Sequence, residues 1–70
     1  MENRVRELRI RKNISAKKLA NNAGVSLSMI YQIEREEKIP SLKVAQKISD
    51  TLEENTDNVF ICQKKEDNNV

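Results

Sequence analysis

The segment from Leu19 to Glu34 constrains the fold of this chain more than any other. Apolar or small side chains recur at helical spacing on both sides of Gly24, at positions 19, 20 and 23 and again at 30 and 33. Gly24 stands where the first helix must end, and glycine reaches the left-handed backbone of such positions without a Cβ clash. Ser26 then offers a hydroxyl that can cap a second helix. The segment therefore predicts two short helices joined by a glycine turn, with Ala20 small enough to let them cross closely.

Two helices joined in this way are the layout of a helix-turn-helix motif, whose second helix enters the DNA major groove. The distribution of charge is compatible with a polyanionic partner. Residues 1–20 carry seven basic and two acidic side chains, a balance of +5, whereas residues 46–70 carry three basic and six acidic ones, a balance of −3. A well-solvated surface would explain these charges equally well, so the motif rather than the charge favours DNA.

Length and composition indicate a small cytoplasmic binding module. A chain of 70 residues forms one domain at most. Cys62 is the only cysteine, so no internal disulfide can form. The chain contains no histidine, which removes the commonest general base and metal ligand, and no apolar run approaches the roughly 20 residues of a membrane span. We therefore expect no enzymatic activity, no cofactor or metal, no membrane contact and no small-molecule ligand.

The rest of the chain predicts further helices and an all-α fold. Helix 1 is expected from about Asn3 to Lys12, helix 2 from about 16 to 23 and helix 3 from about 27 to 34, with Asn13 ending the first. The helix-capping residues are expected to be Ser15, Ser26, Ser41 and either Asn55 or Thr56. The apolar face of helix 4 is expected to comprise Leu42, Ala45, Ile48 and Leu52. A short fifth helix should carry Val59 and Phe60, and no β-hairpin is predicted. We expect one domain over residues 1–62 and a polar, disordered tail over 63–70.

In order and spacing, these residues resemble the lambda-repressor-like, Cro/C1-type helix-turn-helix proteins. The resemblance covers about residues 3–60. The matching segments are Arg-Val-Arg-Glu-Leu-Arg at 4–9, Ile14-Ser15, Leu19-Ala20, Gly24-Val25-Ser26, Ile30, Gln32-Ile33-Glu34, Pro40-Ser41-Leu42 and Val59-Phe60. The resemblance implies a compact five-helix DNA-binding domain with the helix-turn-helix at helices 2 and 3, DNA binding through helix 3, and a homodimer on a two-fold operator.

The chain also departs from this family at two places. Ala16 stands where family members often carry a glutamine that contacts a phosphate and braces a side chain of helix 3. Glu53 and Glu54 stand where a glycine and an apolar residue commonly follow helix 4. The first departure leaves phosphate contact to Lys17 or Lys18, and the second predicts a looser or longer end of helix 4.

Helix geometry assigns the side chains that would face DNA. With Ile30 and Ile33 directed inward, we expect base contacts from Leu27, Ser28, Tyr31 and Gln32. The phosphate contacts are expected from Lys17, Lys18, Arg35 and Lys38, and from backbone amides at the start of helix 2. The alternative is that Ser28 and Gln32 are ordinary surface residues while Leu27 and Tyr31 pack against the domain.

Three further residues are assigned structural roles. The resemblance implies that Arg9 and Glu34 pair between helices 1 and 3, since a guanidinium fork matches a carboxylate; the alternative is two unrelated surface charges. Ile61, with Cys62 beside it, is predicted at the dimer contact. The alternative there is that these C-terminal apolar residues only close the core of the monomer.

Two functions remain compatible with the sequence. The first is a sequence-specific transcriptional regulator that binds double-stranded DNA as a homodimer, most simply a repressor that occludes a promoter. The second is a protein-interaction module of the same fold, such as an antitoxin-like partner, for which DNA binding is secondary. The acidic C-terminal third is the feature that would serve a protein partner.

Overall fold

The computed structural model describes residues 2–61, which form five α-helices and one pair of short strands. The helices are α1 (Val5–Arg11), α2 (Ala16–Ala23), α3 (Leu27–Glu34), α4 (Leu42–Thr51) and α5 (Thr56–Val59). The strands are β1 (Glu2–Asn3) and β2 (Phe60–Ile61). The prediction of a helical fold with five helices is confirmed. Cys62 and the predicted tail over 63–70 lie outside the described residues.

Serine hydroxyls begin three of the helices. The Oγ atoms of Ser15, Ser26 and Ser41 each accept a hydrogen bond, of 3.0, 3.1 and 3.2 Å, from the backbone amide three residues further along. Each bond satisfies one of the amides that a helix start leaves without an intrahelical partner. The three serine caps are confirmed, whereas Asn55 precedes α5 without a side-chain cap.

The first four helices end in one shared type of turn. In each, a residue with a left-handed backbone follows the helix, and two backbone amides bond back to the last helical turn, as in a Schellman motif. The left-handed residues, with φ between 58° and 72°, are Asn13, Gly24, Glu36 and Glu53. Gly24 and Asn13 fulfil the sequence prediction. The prediction that α4 would have a looser or longer end is wrong, because α4 ends at Thr51 with the full turn in place.

The hydrophobic core lies where α2 packs against α3 and α4. Its largest fully buried apolar side chains come from every helix and the turn after α4: Val5, Leu8, Leu19, Ile30, Ile33, Ile48, Leu52 and Val59. Leu42 is 79% exposed, so its predicted place on the apolar face of α4 is wrong. It is the first residue of its helix, and Val44 packs against the core instead.

The two strands close the domain by joining its ends. They are antiparallel, with Glu2 opposite Ile61 and Asn3 opposite Phe60. A further backbone hydrogen bond of 2.8 Å, from the amide of Arg4 to the carbonyl of Val59, extends the connection. The sequence did not predict these strands. Helix α1 accordingly begins at Val5 rather than at Asn3, and Phe60 follows α5 rather than belonging to it.

Candidate nucleic-acid interface

Helix α3 has one buried face and one open face. Ile30 and Ile33 are buried, and Met29 packs against the core from its edge. The residues predicted to contact bases lie on the side away from this core. Leu27 is 39% and Tyr31 41% exposed, and Ser28 is also exposed. Gln32 is half-buried and is therefore the least exposed of the four residues.

The cations predicted to contact phosphates differ in their local partners. Lys17 and Lys18 in the first turn of α2, and Lys38 after α3, are exposed and form no ion pair within residues 2–61. Arg35, in contrast, donates from Nε to Oε2 of Glu37 at 2.9 Å. This hydrogen bond lowers the pKa of the Glu37 carboxyl. The three lysines therefore present unneutralised charge, whereas Arg35 must leave a carboxylate to reach a phosphate.

The start of α2 has the geometry of an anion-facing helix end. Ser15 caps the amide of Lys18, while Ala16 is buried in the core. The positive end of the helix dipole and the two lysines beside it favour a phosphate at this point. The methyl group of Ala16 cannot supply the hydrogen bonds of a glutamine, so the polar groups at this helix end are the backbone amides and the two lysines.

Arg9 and Glu34 meet at the junction of α1 and α3. Nε of Arg9 donates to Oε2 of Glu34 at 2.7 Å, and Nη2 donates to Oε1 at 3.3 Å. Nη1 of Arg9 also donates to the carbonyl of Ile14 at 3.3 Å. The two side chains are only 13% and 4% exposed, respectively, so water screens the pair weakly. This two-pronged contact connects the last residue of α3 to the scaffold.

A second contact to the end of α3 was missed by the sequence analysis. Nδ2 of Asn3 donates to the carbonyl of Ile33 at 2.8 Å. Oδ1 of the same side chain accepts from the amide of Val5 at 3.1 Å, the first amide of α1. An asparagine just before a helix predicts only the second of these bonds. No sequence signal indicates a partner thirty residues away.

Two further arginines near α1 share the carboxylate of Glu7. Nη2 atoms of Arg4 and Arg11 lie 3.2 and 3.0 Å from Oε2 of Glu7. The hydrogen bond from Arg4 is the main cause of a lowered pKa at Glu7. The three groups are solvent-exposed, and pairs of this kind contribute little to stability. Because two guanidiniums share one carboxylate, this group keeps a net positive charge away from α3.

The family of helix-turn-helix proteins matches this chain over residues 5–58. The chain belongs to this family, in its Cro/C1-type branch. It is a DNA-binding transcriptional regulator, and its family is one of regulators rather than of enzymes.

Two relatives and one solved structure are similar to this Cro/C1-type regulator. The uncharacterized HTH-type transcriptional regulator YgzD of Bacillus subtilis (strain 168) is 37% identical over 65 residues, which is 93% of this chain and 98% of the relative. An uncharacterized HTH-type transcriptional regulator of Archaeoglobus fulgidus is 32% identical, over 94% of this chain and 93% of its own. The crystal structure of the restriction-modification controller protein C.AhdI from Aeromonas hydrophila superposes with a TM-score of 0.76 at 32% identity, covering 81% of this chain and 86% of that one.

Several apolar side chains of the regulator are exposed outside α3. Ile61, predicted at a dimer contact, is 37% exposed at the end of β2. Ile39, three residues before α4, and Leu42, its first residue, are more exposed still, and neither was predicted to be a surface residue. Within residues 2–61 no helix is long and apolar enough to cross a membrane. The same part of the chain has no cluster of three acidic or cysteine side chains that could hold a metal.

Proposed function

We propose that this regulator represses transcription by binding an operator as a homodimer, with α3 in the major groove, and by occluding the promoter. The main support is the open face of α3, which lies opposite its buried apolar face. The residues proposed to contact base edges lie on this open face: Leu27, Ser28, Tyr31 and Gln32. Gln32 suits adenine, Ser28 accepts or donates to several bases, and Leu27 suits a thymine methyl. Such a role places the protein in the cytoplasm with the DNA.

The phosphate contacts of this proposal come from cations on either side of that face. Lys17, Lys18 and Lys38 are exposed and unpaired within the described chain, so binding them to phosphates breaks no ion pair. Release of counterions from the DNA then supplies affinity that does not depend on sequence. Arg35 contributes after exchanging Glu37 for a phosphate.

Selection of bound duplexes from a random pool gives the first test, followed by two single variants. Gln32→Ala should lose about 1–3 kcal/mol on the selected site and relax preference at one base position. Lys17→Ala should weaken binding to all duplexes alike and flatten the salt dependence. An unchanged site preference and affinity for Gln32→Ala would refute the base-contact assignment. A wild-type protein that selects no sequence would instead favour the protein-interaction module.

The role of Arg35 has a matched pair of tests. Glu37→Gln removes the partner of Arg35, whereas Glu36→Gln removes the same charge from an exposed neighbour outside that pair. We expect Glu37→Gln to raise DNA affinity more than Glu36→Gln and to steepen its salt dependence, because an additional guanidinium becomes available to a phosphate. Equal effects of the two variants would exclude a phosphate contact by Arg35.

Assembly into a homodimer is proposed from specificity and from Ile61. One small helix-turn-helix makes few base contacts, whereas two copies related by a two-fold axis place two α3 helices about 34 Å apart on the DNA. Ile61 offers an exposed apolar side chain at the end of β2 for this contact. Sedimentation should show dimers for the wild type and monomers for Ile61→Lys. A wild-type monomer that binds a non-palindromic site as one copy would overturn this assembly.

A further inference from the structure

Asn3 connects three parts of the molecule through one side chain. Its backbone belongs to β1, its Oδ1 atom accepts from the first amide of α1 at 3.1 Å, and its Nδ2 atom donates to the Ile33 carbonyl at 2.8 Å. An amide side chain that both donates and accepts in this way is fixed in orientation. A shift of β1 would therefore move the side chain of Asn3 and, through its hydrogen bond, the end of α3.

Two side chains from the N-terminal segment, those of Asn3 and Arg9, bind the end of α3. The carbonyl of Ile33 receives Asn3, in addition to the amide of Glu36 at 3.0 Å, and the carboxylate of the next residue, Glu34, receives Arg9. The carbonyls of a last helical turn lack intrahelical partners, and Asn3 supplies a second donor to the carbonyl of Ile33. Two consecutive residues of α3 are thus attached to β1 and α1.

The position of β1 depends in turn on the C-terminal strand. Asn3 lies opposite Phe60, whose side chain is buried, and the neighbouring pair joins Glu2 to Ile61. A continuous set of contacts consequently runs from β2 through Asn3 to the carbonyl of Ile33.

We propose that Asn3 is a positioning residue for base discrimination, which makes the sequence preference of α3 depend on closure of the β1–β2 pair. The proposal rests on the DNA-binding role of α3 described above. Paired hydrogen bonds to base edges require side chains placed within about 0.5 Å, whereas a flexible lysine follows a phosphate over larger shifts. Loss of the Asn3–Ile33 bond therefore weakens discrimination more than general affinity for DNA.

Two variants separate the two bonds of Asn3. Asn3→Ser retains a short oxygen that can accept from the amide of Val5 but is too short to reach the carbonyl of Ile33. Asn3→Ala removes both bonds. Asn58→Ser is the matched control, because the Asn58 amide donates at 2.8 Å to the carboxylate of Glu54 in the turn after α4.

The measurement is the ratio of affinities for the selected duplex and for a scrambled duplex of equal length, over several salt concentrations and well below each melting temperature. We expect this ratio to fall about fivefold to tenfold in both Asn3 variants and to remain unchanged in Asn58→Ser. Affinity for the scrambled duplex should stay within about twofold of the wild type. The slope of affinity against salt concentration should not change, because the phosphate contacts are the same. Asn3→Ala should also melt at a lower temperature than Asn3→Ser.

The other outcomes contradict either the positioning role of Asn3 or the proposed DNA-binding function. If Asn3→Ser keeps the wild-type ratio of affinities for the selected and scrambled duplexes, the positioning role is wrong but the proposed function is unaffected. Parallel loss of affinity for both duplexes shows that Asn3 only stabilises the fold, and also overturns the positioning role. A wild-type protein without any sequence preference refutes the proposed function itself, and that result is visible before any variant is made.

Discussion

The turns after α2 and after α4 have the same backbone hydrogen bonds but different residues in their left-handed position. After α2 the position belongs to Gly24, with a φ of 72° and no Cβ, and after α4 it belongs to Glu53, with a φ of 58°. A non-glycine residue in this conformation costs roughly 1–2 kcal/mol. The turn inside the helix-turn-helix is therefore favoured by its own residue, whereas the turn after α4 is maintained by the buried side chains on either side of it, Ile48, Leu52 and Val59.

The comparison implies that contacts between distant residues outweigh the choice of turn residue, and Arg9→Ala is the strongest test. This change leaves the carboxylate of Glu34, only 4% exposed, without its guanidinium. We expect the free energy of unfolding to fall by about 3 kcal/mol. Thermal melts measure the loss, with Arg6→Ala as the control at an exposed position of the same helix. Equal melting temperatures for the two variants would contradict the prediction.

A change at Gly24 has the next largest expected effect. No atom lies within 4 Å of a Cβ built on Gly24, so alanine meets no steric clash and only the backbone conformation resists it. We expect Gly24→Ala to lower the free energy of unfolding by about 1 kcal/mol. Denaturant titration measures this, and Asn22→Ala on the exposed side of α2 should lose nothing. An unaffected Gly24→Ala variant would remove the difference between the two turns.

The smallest effect, of opposite sign, is expected after α4. Glu53→Gly should raise the free energy of unfolding by roughly 0.5 kcal/mol, because relief of the left-handed strain exceeds the added freedom of the unfolded chain. Glu53→Ala removes the same carboxylate but keeps the Cβ, so it should not stabilise the protein. If alanine stabilises as much as glycine, the charge rather than the backbone is responsible.

Predictions based on neighbouring residues in the chain succeeded best. The caps at Ser15, Ser26 and Ser41 and the turns at Asn13 and Gly24 depend on side chains within three or so positions, and the structure contains all five. The open face of α3 followed from helical period alone, although its base contacts stay predictions.

Features that depend on distant residues did not follow from the sequence. Two-residue strands are too short to show an alternation of polar and apolar side chains, so β1 and β2 left no signal. The Asn3–Ile33 bond joins residues thirty positions apart and depends on how the N-terminal strand is placed. Leu42 fits the helical period of α4, but its place at the first turn leaves it beyond the edge of the core.

The pairing of Glu2–Asn3 with Phe60–Ile61 also has a consequence for synthesis on the ribosome. The nascent chain makes β1 first and β2 only after all five helices have been translated. The helices that surround the core can begin to pack as they emerge from the exit tunnel. The strand pair, however, can form only once position 61 has left the tunnel, so it is among the last contacts of the described residues to be made.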